Sequence, residues 1–86
     1  MGKYRIEIKK SAAKEIEKLP GNEIKKVLNK IKELSQNPRP IGCKKLSKEE
    51  KYRIRQGNYR ILYEVKGDLL IVFVVKVAHR KDVYRR

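Results

Sequence analysis

The sequence is poor in the residues from which many catalytic and metal sites are built. Its 86 residues include one cysteine, one histidine, no tryptophan and only ten acidic residues. One cysteine excludes a disulfide within the chain, and one cysteine with one histidine cannot form a zinc site. The sequence also lacks the glycine loops that bind mononucleotides or dinucleotides. We therefore expect no metal ion and no cofactor.

Long apolar segments are missing as well. The first ten residues, MGKYRIEIKK, contain no apolar run suited to a signal peptide. The longest apolar run covers residues 69–75, whereas a membrane-spanning helix needs about 20 apolar residues. The length of 86 residues predicts one domain over residues 1–86. The missing apolar segments predict a location in the cytoplasm, outside the membrane.

Positive charge is what the sequence has in excess. Twenty-four lysines and arginines against ten acidic residues give a formal net charge of +14. Such a charge favours a polyanionic partner: a nucleic acid, an acidic protein or an anionic membrane surface. It also implies self-repulsion, which a neutralising partner in the cell would relieve.

The segment KYRIRQGNYRILYEV predicts a β-hairpin. Two alternating runs flank Gly57-Asn58, and both of these residues tolerate the positive φ of a hairpin turn. A two-residue turn places Arg55 opposite Arg60, on the sheet face that also carries Arg53. A three-residue loop would instead separate Arg60 from the other two arginines. The opposite face collects apolar and aromatic side chains: Tyr52, Ile54, Tyr59, Ile61 and Tyr63.

The arginine face has two interpretations. Like charges that oppose each other across a hairpin destabilise it by up to about 1 kcal/mol. An anionic ligand would relieve that repulsion, which favours a binding site. The alternative is a solvated basic face on a basic protein.

Two helices are predicted before the hairpin. Residues 4–8 alternate in polarity and indicate a half-buried strand. Ser11 is the predicted N-cap of a first helix, which ends at Pro20-Gly21-Asn22. Asn22 is in turn the predicted N-cap of a second helix over residues 23–36, which carries an apolar stripe. That stripe consists of Ile24, Val27, Leu28, Ile31 and Leu34.

The predicted fold class is α+β. Residues 37–50 form an irregular basic connection, with a brief extended piece at residues 44–46. The unbroken apolar run at residues 69–75 indicates the innermost strand of the sheet, covered on both faces. The expected order is an N-terminal strand, a two-helix hairpin, then three antiparallel strands in one curved sheet, followed by a basic C-terminal tail. The first strand can pair with the last.

The hairpin, the apolar strand and the ending VAHRKDVYRR together resemble the RelE/ParE toxin superfamily, most closely its RelE branch. The resemblance covers almost the whole chain and is carried by YRIR-x-G-x-YR-x-x-YE with a later HR-x-x-VY. It implies the toxin of a type II toxin-antitoxin system, a ribosome-dependent endoribonuclease that cleaves mRNA in the decoding A site and inhibits translation. The implied partners are an acidic RelB-like antitoxin and a 70S-type ribosome with its mRNA, and a toxin-antitoxin heterotetramer is one implied assembly.

The side chains present suit metal-independent RNA cleavage. RNA supplies its own nucleophile, the 2′-hydroxyl, and cationic side chains can stabilise the pentavalent phosphorane that its attack produces. By alignment with the family, the catalytic residues are Arg53, Arg55, Arg60, Arg80 and Tyr84. Further basic residues are predicted to bind RNA or the ribosome: Lys44, Lys45, Lys48, Lys51, Lys81 and Arg85.

The sequence leaves the general base open. Family members often carry lysines at the two strand positions occupied here by Arg53 and Arg55. Arginine does not lose its proton at neutral pH, so neither residue suits proton transfer. Histidine is the residue type that titrates near neutrality, so His79 is either the proton acceptor or a cap of the last strand. Tyr84 either stacks near the scissile site or packs as a terminal aromatic residue.

Two other functions fit parts of the pattern. A ParE-type inhibitor of DNA gyrase would share the fold without a nuclease site, although the basic HR-x-x-VY ending is less typical of it. A non-catalytic RNA-binding or ribosome-binding protein would fit the net charge equally well.

Overall fold

Two helices pack against one face of a mixed five-stranded β-sheet. The structure, a computed structural model, describes residues 3–46 and 50–79. Within these residues, no helix is long and apolar enough to cross a membrane. The elements are β1 (Arg5–Ile8), α1 (Lys10–Glu17), α2 (Gly21–Leu34), β2 (Lys44–Lys45), β3 (Lys51–Gln56), β4 (Tyr59–Lys66) and β5 (Ile71–His79).

The strand order across the sheet is β1-β5-β4-β3-β2. β2 pairs with β3, β3 with β4 and β4 with β5, all antiparallel, whereas β1 pairs with β5 in parallel. A parallel pair needs a long crossover, and here the two helices provide part of it. The α+β fold, the pairing of the first strand with the last and the brief extended piece before the hairpin are all confirmed. The predicted basic tail, residues 80–86, lies outside the described residues.

The hydrophobic core lies between the helices and the adjacent face of the sheet. The predicted tyrosine and isoleucine face of the hairpin is the one that the helices cover, and four of its five members are buried. Tyr59, next to the turn, is partly exposed. Burial of apolar surface stabilises the fold by about 25 cal/mol per Å². The buried residues are Ala12, Ile16, Val27, Ile31, Leu34, Tyr52, Ile54, Ile61, Tyr63, Val65, Val72, Val74 and Val77.

The first helix begins earlier than predicted. Its N-cap is Lys9, and the predicted Ser11 cap is wrong. The Lys9 amide donates to the carbonyl of Val74 at 2.8 Å. Pairing between β1 and β5 therefore continues to the residue at which the helix starts, and this long-range contact sets the helix boundary.

The second helix also begins earlier, at Gly21, with Pro20 as its N-cap. The predicted Asn22 cap is therefore wrong. Proline has a fixed φ and no amide hydrogen, so Pro20 can end one helix and begin the next within a very short connection. Leu28 of the predicted apolar stripe is 42% exposed. It lies at the edge of the stripe, beside the fully buried Val27.

The last strand differs from the prediction in three respects. Residues 67–70 form a turn, so Leu69 and Leu70 precede β5 and are exposed. The expectation that both faces of this strand are covered is wrong. Its side chains alternate between buried and partly exposed because the helices cover only one face. The prediction that this strand is the innermost is wrong as well, because β4 is the central strand of the sheet. β5 lies between β1 and β4 and is therefore paired along both edges.

A β-bulge interrupts the pairing of β4 with β5. Ile61 pairs with Val77 and Tyr63 pairs with Val74, so one extra residue lies on β5. Bulges of this kind reverse the alternation of the strand that contains them. The carboxylate of Glu15 on α1 accepts hydrogen bonds from the Val77 amide at 2.9 Å and from the Lys76 ammonium at 3.2 Å. The first helix thus stabilises the strand just beyond the bulge.

The helix register predicts a large difference between two aspartate substitutions. Ile31 is 2% exposed, so Ile31→Asp would bury an unpaired charge. We expect it to lower the free energy of unfolding by more than about 4 kcal/mol, a large part of the stability of a small domain. Urea unfolding followed by circular dichroism measures this change.

Lys26→Asp is the matched control, because Lys26 is exposed on the same helix. We expect it to change the free energy of unfolding by less than about 0.5 kcal/mol. Equal urea midpoints for the two variants would show that the helix presents a different face to the core.

Candidate anion-binding pocket

The β3–β4 hairpin has the predicted two-residue turn. Gly57 adopts a φ of 60°, a conformation that glycine accepts without strain. Arg55 pairs with Arg60, and Arg53 pairs with Leu62. The predicted register is confirmed, the three-residue alternative is excluded, and two arginines face each other across the hairpin.

Three arginines and a lysine line a shallow pocket of about 140 Å³ on the sheet face that the helices leave uncovered. Arg53 and Arg55 come from β3, Arg60 from β4 and Lys44 from β2, and Gly42 completes the lining. Lys44 lies opposite Arg53 in the pairing of β2 with β3. None of these five residues is acidic. The arrangement therefore suits an anion that has several acceptor oxygens, such as a phosphate group.

The guanidinium group of Arg60 is partly enclosed. Its Nη1 atom is shielded from solvent, whereas Arg55 is exposed. A guanidinium is only weakly hydrated and presents several donors in one plane. A group that is already partly desolvated loses less hydration when an anion binds. Arg60 is therefore well suited to hold an oxyanion at the base of the pocket.

The other predicted residues within the described part of the chain lie outside the pocket. The Lys45 ammonium is 3.1 Å from the Glu50 carboxylate. Lys51 lies opposite Glu64 in the hairpin. Their predicted roles in binding RNA or the ribosome stay predictions.

His79 is not brought to the pocket. It pairs with Tyr59 at the end of β5, and the two rings meet edge to face with centroids 5.5 Å apart. Tyr59 shares the sheet face of Ile61, which is the helix side and not the arginine side. A role for His79 as proton acceptor stays a prediction without support from its position. The remaining predicted residues, Arg80, Lys81, Tyr84, Arg85 and Lys48, lie outside the described residues.

Sequence reasoning missed a polar network beside the pocket. Arg39 donates from Nη2 to Glu50 Oε1 at 2.7 Å and from Nε to Tyr52 Oη at 2.9 Å. The Tyr52 hydroxyl donates to the same Glu50 oxygen at 2.9 Å. Hydrogen bonds from Arg39, then from Lys45 and Tyr52, lower the pKa of Glu50 to about 2. Glu50 is therefore ionised at neutral pH. The hydrogen bonds of Arg39 to Glu50 and then to Tyr52 raise the pKa of Arg39.

Two stacked tyrosines anchor the loop that precedes β2. The rings of Tyr52 and Tyr63 lie 5.7 Å apart with an interplanar angle of 20°. The Tyr63 hydroxyl donates to the carbonyl of Pro38 at 2.7 Å in a buried position. The loop that leads to Gly42 is thus attached to the hairpin at successive residues, Pro38 and Arg39. The sequence signal that was available is the pair of prolines around Arg39, which makes this segment stiff.

Comparison with known proteins gives consistent matches over nearly the whole chain. Residues 6–84 match the family of ParE toxins of type II toxin-antitoxin systems. The chain is 41% identical to toxin RelE3 of Methanocaldococcus jannaschii over 81 residues, which are 87% of this chain and 89% of RelE3. It is 31% identical to toxin RelG of Mycobacterium tuberculosis, covering 96% of this chain and 98% of RelG.

The fold comparison agrees with these matches. The archaeal RelE–RelB complex from Pyrococcus horikoshii contains a chain that superposes with a TM-score of 0.80 and 25% identity. The superposition covers 91% of this chain and 96% of that one. The architecture of sheet, helices and hairpin is therefore shared with solved RelE structures.

The opposed arginines predict that one pocket substitution increases stability. Arg55→Glu would replace a repulsive cross-strand pair with an attractive one, which should raise the free energy of unfolding by about 0.2–1 kcal/mol. Arg55→Gln removes the repulsion only and should lie between that variant and the wild type. Urea unfolding at low ionic strength measures the series.

Both Arg55 variants should bind pyrophosphate more weakly, which amide chemical shifts can follow. Arg5→Gln is the control: Arg5 is an exposed residue of β1, ion-paired with Glu7 outside the pocket. It should retain the wild-type affinity. A less stable Arg55→Glu variant would mean that the two arginines do not repel each other in the folded protein.

Tyr63 predicts a stability change at alkaline pH. Burial raises the pKa of Tyr63 above its usual value of 10, because the folded state disfavours the phenolate. The resulting stability is fully present below pH 10 and is lost as the pH rises through the raised native pKa. Above pH 10, the free energy of unfolding should therefore fall more steeply in the wild type than in Tyr63→Phe, by at most about 1.4 kcal/mol per pH unit.

Urea unfolding between pH 9 and 11 provides the measurement. Ile61→Val is the control, because Ile61 is buried on the same strand and carries no ionisable group. It should keep the wild-type slope. If Tyr63→Phe keeps that slope as well, Tyr63 ionises as readily in the folded chain as in the unfolded one.

Proposed function

Because the chain belongs to the RelE/ParE superfamily and is a toxin of a type II toxin-antitoxin system, we propose that it is a ribosome-dependent mRNA endonuclease of the RelE type. The observation that carries the proposal is the pocket in which Arg53, Arg55, Arg60 and Lys44 converge. Such a group of cations suits a scissile phosphate in RNA, and the proposed place of action is the cytoplasm.

In the proposed reaction, the RNA 2′-hydroxyl attacks the adjacent phosphorus and loses its proton. The bond to the 5′-oxygen breaks, and that oxygen takes up a proton as it leaves. The products are a 2′,3′-cyclic phosphate and a 5′-hydroxyl end. Negative charge builds up on the non-bridging oxygens in the phosphorane, where fixed guanidinium groups stabilise it more than in the ground state.

The proposed role of each pocket residue follows from its position. Arg60 holds a non-bridging oxygen at the base of the pocket, while Arg53 and Lys44, opposed across β2 and β3, contact the phosphate from one side. Arg55 extends the positive surface toward the hairpin turn. Arg80 and Tyr84 keep the roles that the family resemblance gives them, a second phosphate contact and a stacking platform for a base.

An acidic RelB-like antitoxin is the proposed cellular partner. The net charge of +14 and the uncovered arginine face both favour a negatively charged chain that neutralises them. The superposed solved structure from Pyrococcus horikoshii is itself a RelE–RelB complex. A toxin-antitoxin heterotetramer stays a prediction.

Inhibition of DNA gyrase is the second candidate function. The observation that favours it is the match of residues 6–84 to the ParE toxin family. A gyrase inhibitor acts by binding a protein, so it has no need for cations that converge on one phosphate. The pocket therefore favours the endonuclease.

One pair of reactions separates the candidates. A ribosome-dependent endonuclease should cut an mRNA on purified 70S ribosomes and leave gyrase supercoiling unchanged. If supercoiling is inhibited and the mRNA stays intact, the protein is a gyrase inhibitor and the endonuclease proposal is wrong. Binding to ribosomes without either effect would leave a non-catalytic ribosome-binding protein.

The proposed chemistry predicts the behaviour of a modified substrate. An mRNA with a 2′-deoxynucleotide at the cleavage position lacks the nucleophile, so it should bind to the ribosome but stay uncut. Primer extension locates the cut, and a kinase that labels 5′-hydroxyl ends identifies the product. Cleavage of the deoxy substrate would exclude transesterification.

Arg60→Ala tests the role of the pocket in the same assay. Removal of one donor to a developing oxyanion costs about 2.7–4 kcal/mol, or 10²–10³-fold in kcat. Arg5→Ala is the control, since Arg5 is an exposed arginine of β1, and it should cleave at the wild-type rate. An equal loss of cleavage rate in both variants would mean that Arg60 supplies only general electrostatic attraction for RNA.

A further inference from the structure

The carboxylate of Glu50 joins three segments of the chain that build the pocket. Its Oε1 accepts hydrogen bonds from Arg39 at 2.7 Å and from Tyr52 at 2.9 Å. Its Oε2 lies 3.1 Å from the Lys45 ammonium. Arg39 belongs to the loop before β2, Lys45 to β2 and Tyr52 to β3, so one side chain links all three.

Two of the three linked residues are adjacent in sequence to pocket residues. Lys45 follows Lys44, and Tyr52 precedes Arg53, which pairs with Lys44 across the two strands. Successive side chains of a strand point to opposite faces. Lys45 and Tyr52 therefore point to the sheet face opposite to Lys44 and Arg53. The Glu50 network lies on that opposite face, behind the pocket wall that Lys44 and Arg53 form.

This wall needs a stabilising contact on its reverse side. Lys44 and Arg53 are like charges directly opposed across strands, which repel each other. β2 is only two residues long, so few backbone hydrogen bonds hold it in place. One backbone hydrogen bond beside β2 runs from the Leu46 amide to the Lys51 carbonyl at 2.8 Å. The attraction of Lys45 and Arg39 to Glu50 opposes the repulsion within the pocket.

We propose that Glu50 is a positioning residue for the anion pocket: it holds β2 and the loop before it against β3, so that Lys44 and Arg53 face one bound phosphate. The effect on mRNA cleavage rests on the proposed function, whereas the effect on phosphate binding does not. Glu50 acts through other residues and does not touch the bound anion.

Removal of the Glu50 carboxylate should strengthen the attraction of RNA and weaken the geometry of the pocket. Glu50→Gln adds one unit of positive charge beside the pocket, so long-range attraction of RNA becomes stronger. It also weakens the contacts that hold the pocket wall. A purely electrostatic role therefore predicts tighter binding and unchanged catalysis, whereas a positioning role predicts slower catalysis in spite of the stronger attraction.

Glu7→Gln is the matched control for charge. The side chains of Glu7 and Glu50 are both 45% exposed, and each has an ion pair with an arginine, at 3.0 Å and 2.7 Å. Glu7 lies on β1, at the opposite edge of the sheet from β2. The two substitutions change the net charge equally, but only one of them affects the pocket wall.

Steady-state cleavage of mRNA on ribosomes is the first measurement. A displacement of about 1 Å at a reacting centre costs on the order of 10²-fold in rate, so we expect Glu50→Gln to lower kcat by about 10–100-fold. Its KM should stay equal or fall. Glu50→Asp, which keeps the charge but has a shorter reach, should also lose kcat. Equal kcat values for Glu50→Gln and Glu7→Gln would overturn the proposal.

A second measurement does not depend on nuclease activity. Hydrogen exchange of the Leu46 amide reports the pairing of β2 with β3, and pyrophosphate titration reports the pocket. Faster exchange and weaker pyrophosphate binding in Glu50→Gln than in Glu7→Gln would support the proposal, even if wild-type protein cut no RNA. In that case the proposed function alone would fail. Wild-type exchange and affinity in Glu50→Gln would overturn the role of Glu50.

Discussion

The register of the β3–β4 hairpin is the constraint on which the rest of the structure depends. Because side chains alternate along a strand, a slip by one residue would move every side chain of one strand to the other face. The turn at Gly57 fixes the register that pairs Tyr52 with Tyr63 and Arg55 with Arg60. One short turn thereby completes the apolar surface on which the helices pack and assembles the cationic surface on the opposite side.

The cationic surface opposes stability, and the core on the other face of the same strands offsets this effect. Arg55 faces Arg60 and Lys44 faces Arg53, and like charges that oppose each other across strands repel. Glu50, whose carboxylate bonds to Arg39, Lys45 and Tyr52, does not line the pocket. An anion bound in the pocket would be attracted by all four cationic side chains that line it.

Local periodicity allowed the hairpin register, the helix stripe and the arginine face to be predicted from sequence, because each depends on residues close together in the chain. The features that were missed depend on distant contacts. The Lys9 amide bonds to Val74 and thereby sets the start of α1, which a search for a serine cap cannot find. The exposure of one face of β5 depends on where the helices lie. Arg39 and Glu50 form a hydrogen bond although eleven positions separate them in the sequence, and no helix or strand periodicity predicts such a contact.

RNA and an acidic antitoxin would both be attracted to the same arginine face, and this has a consequence for control of the proposed activity. Within the described residues, the pocket is shallow and lies on the sheet face that neither α1 nor α2 covers, which suits a wide partner as well as a nucleotide. Binding of either one would neutralise charges that attract the other, so each would weaken the binding of the other through electrostatics alone. Inhibition then requires no change in the shape of the toxin. The positive charges of Arg55 and Arg60, which attract a phosphate, would also attract an acidic inhibitor that covers them.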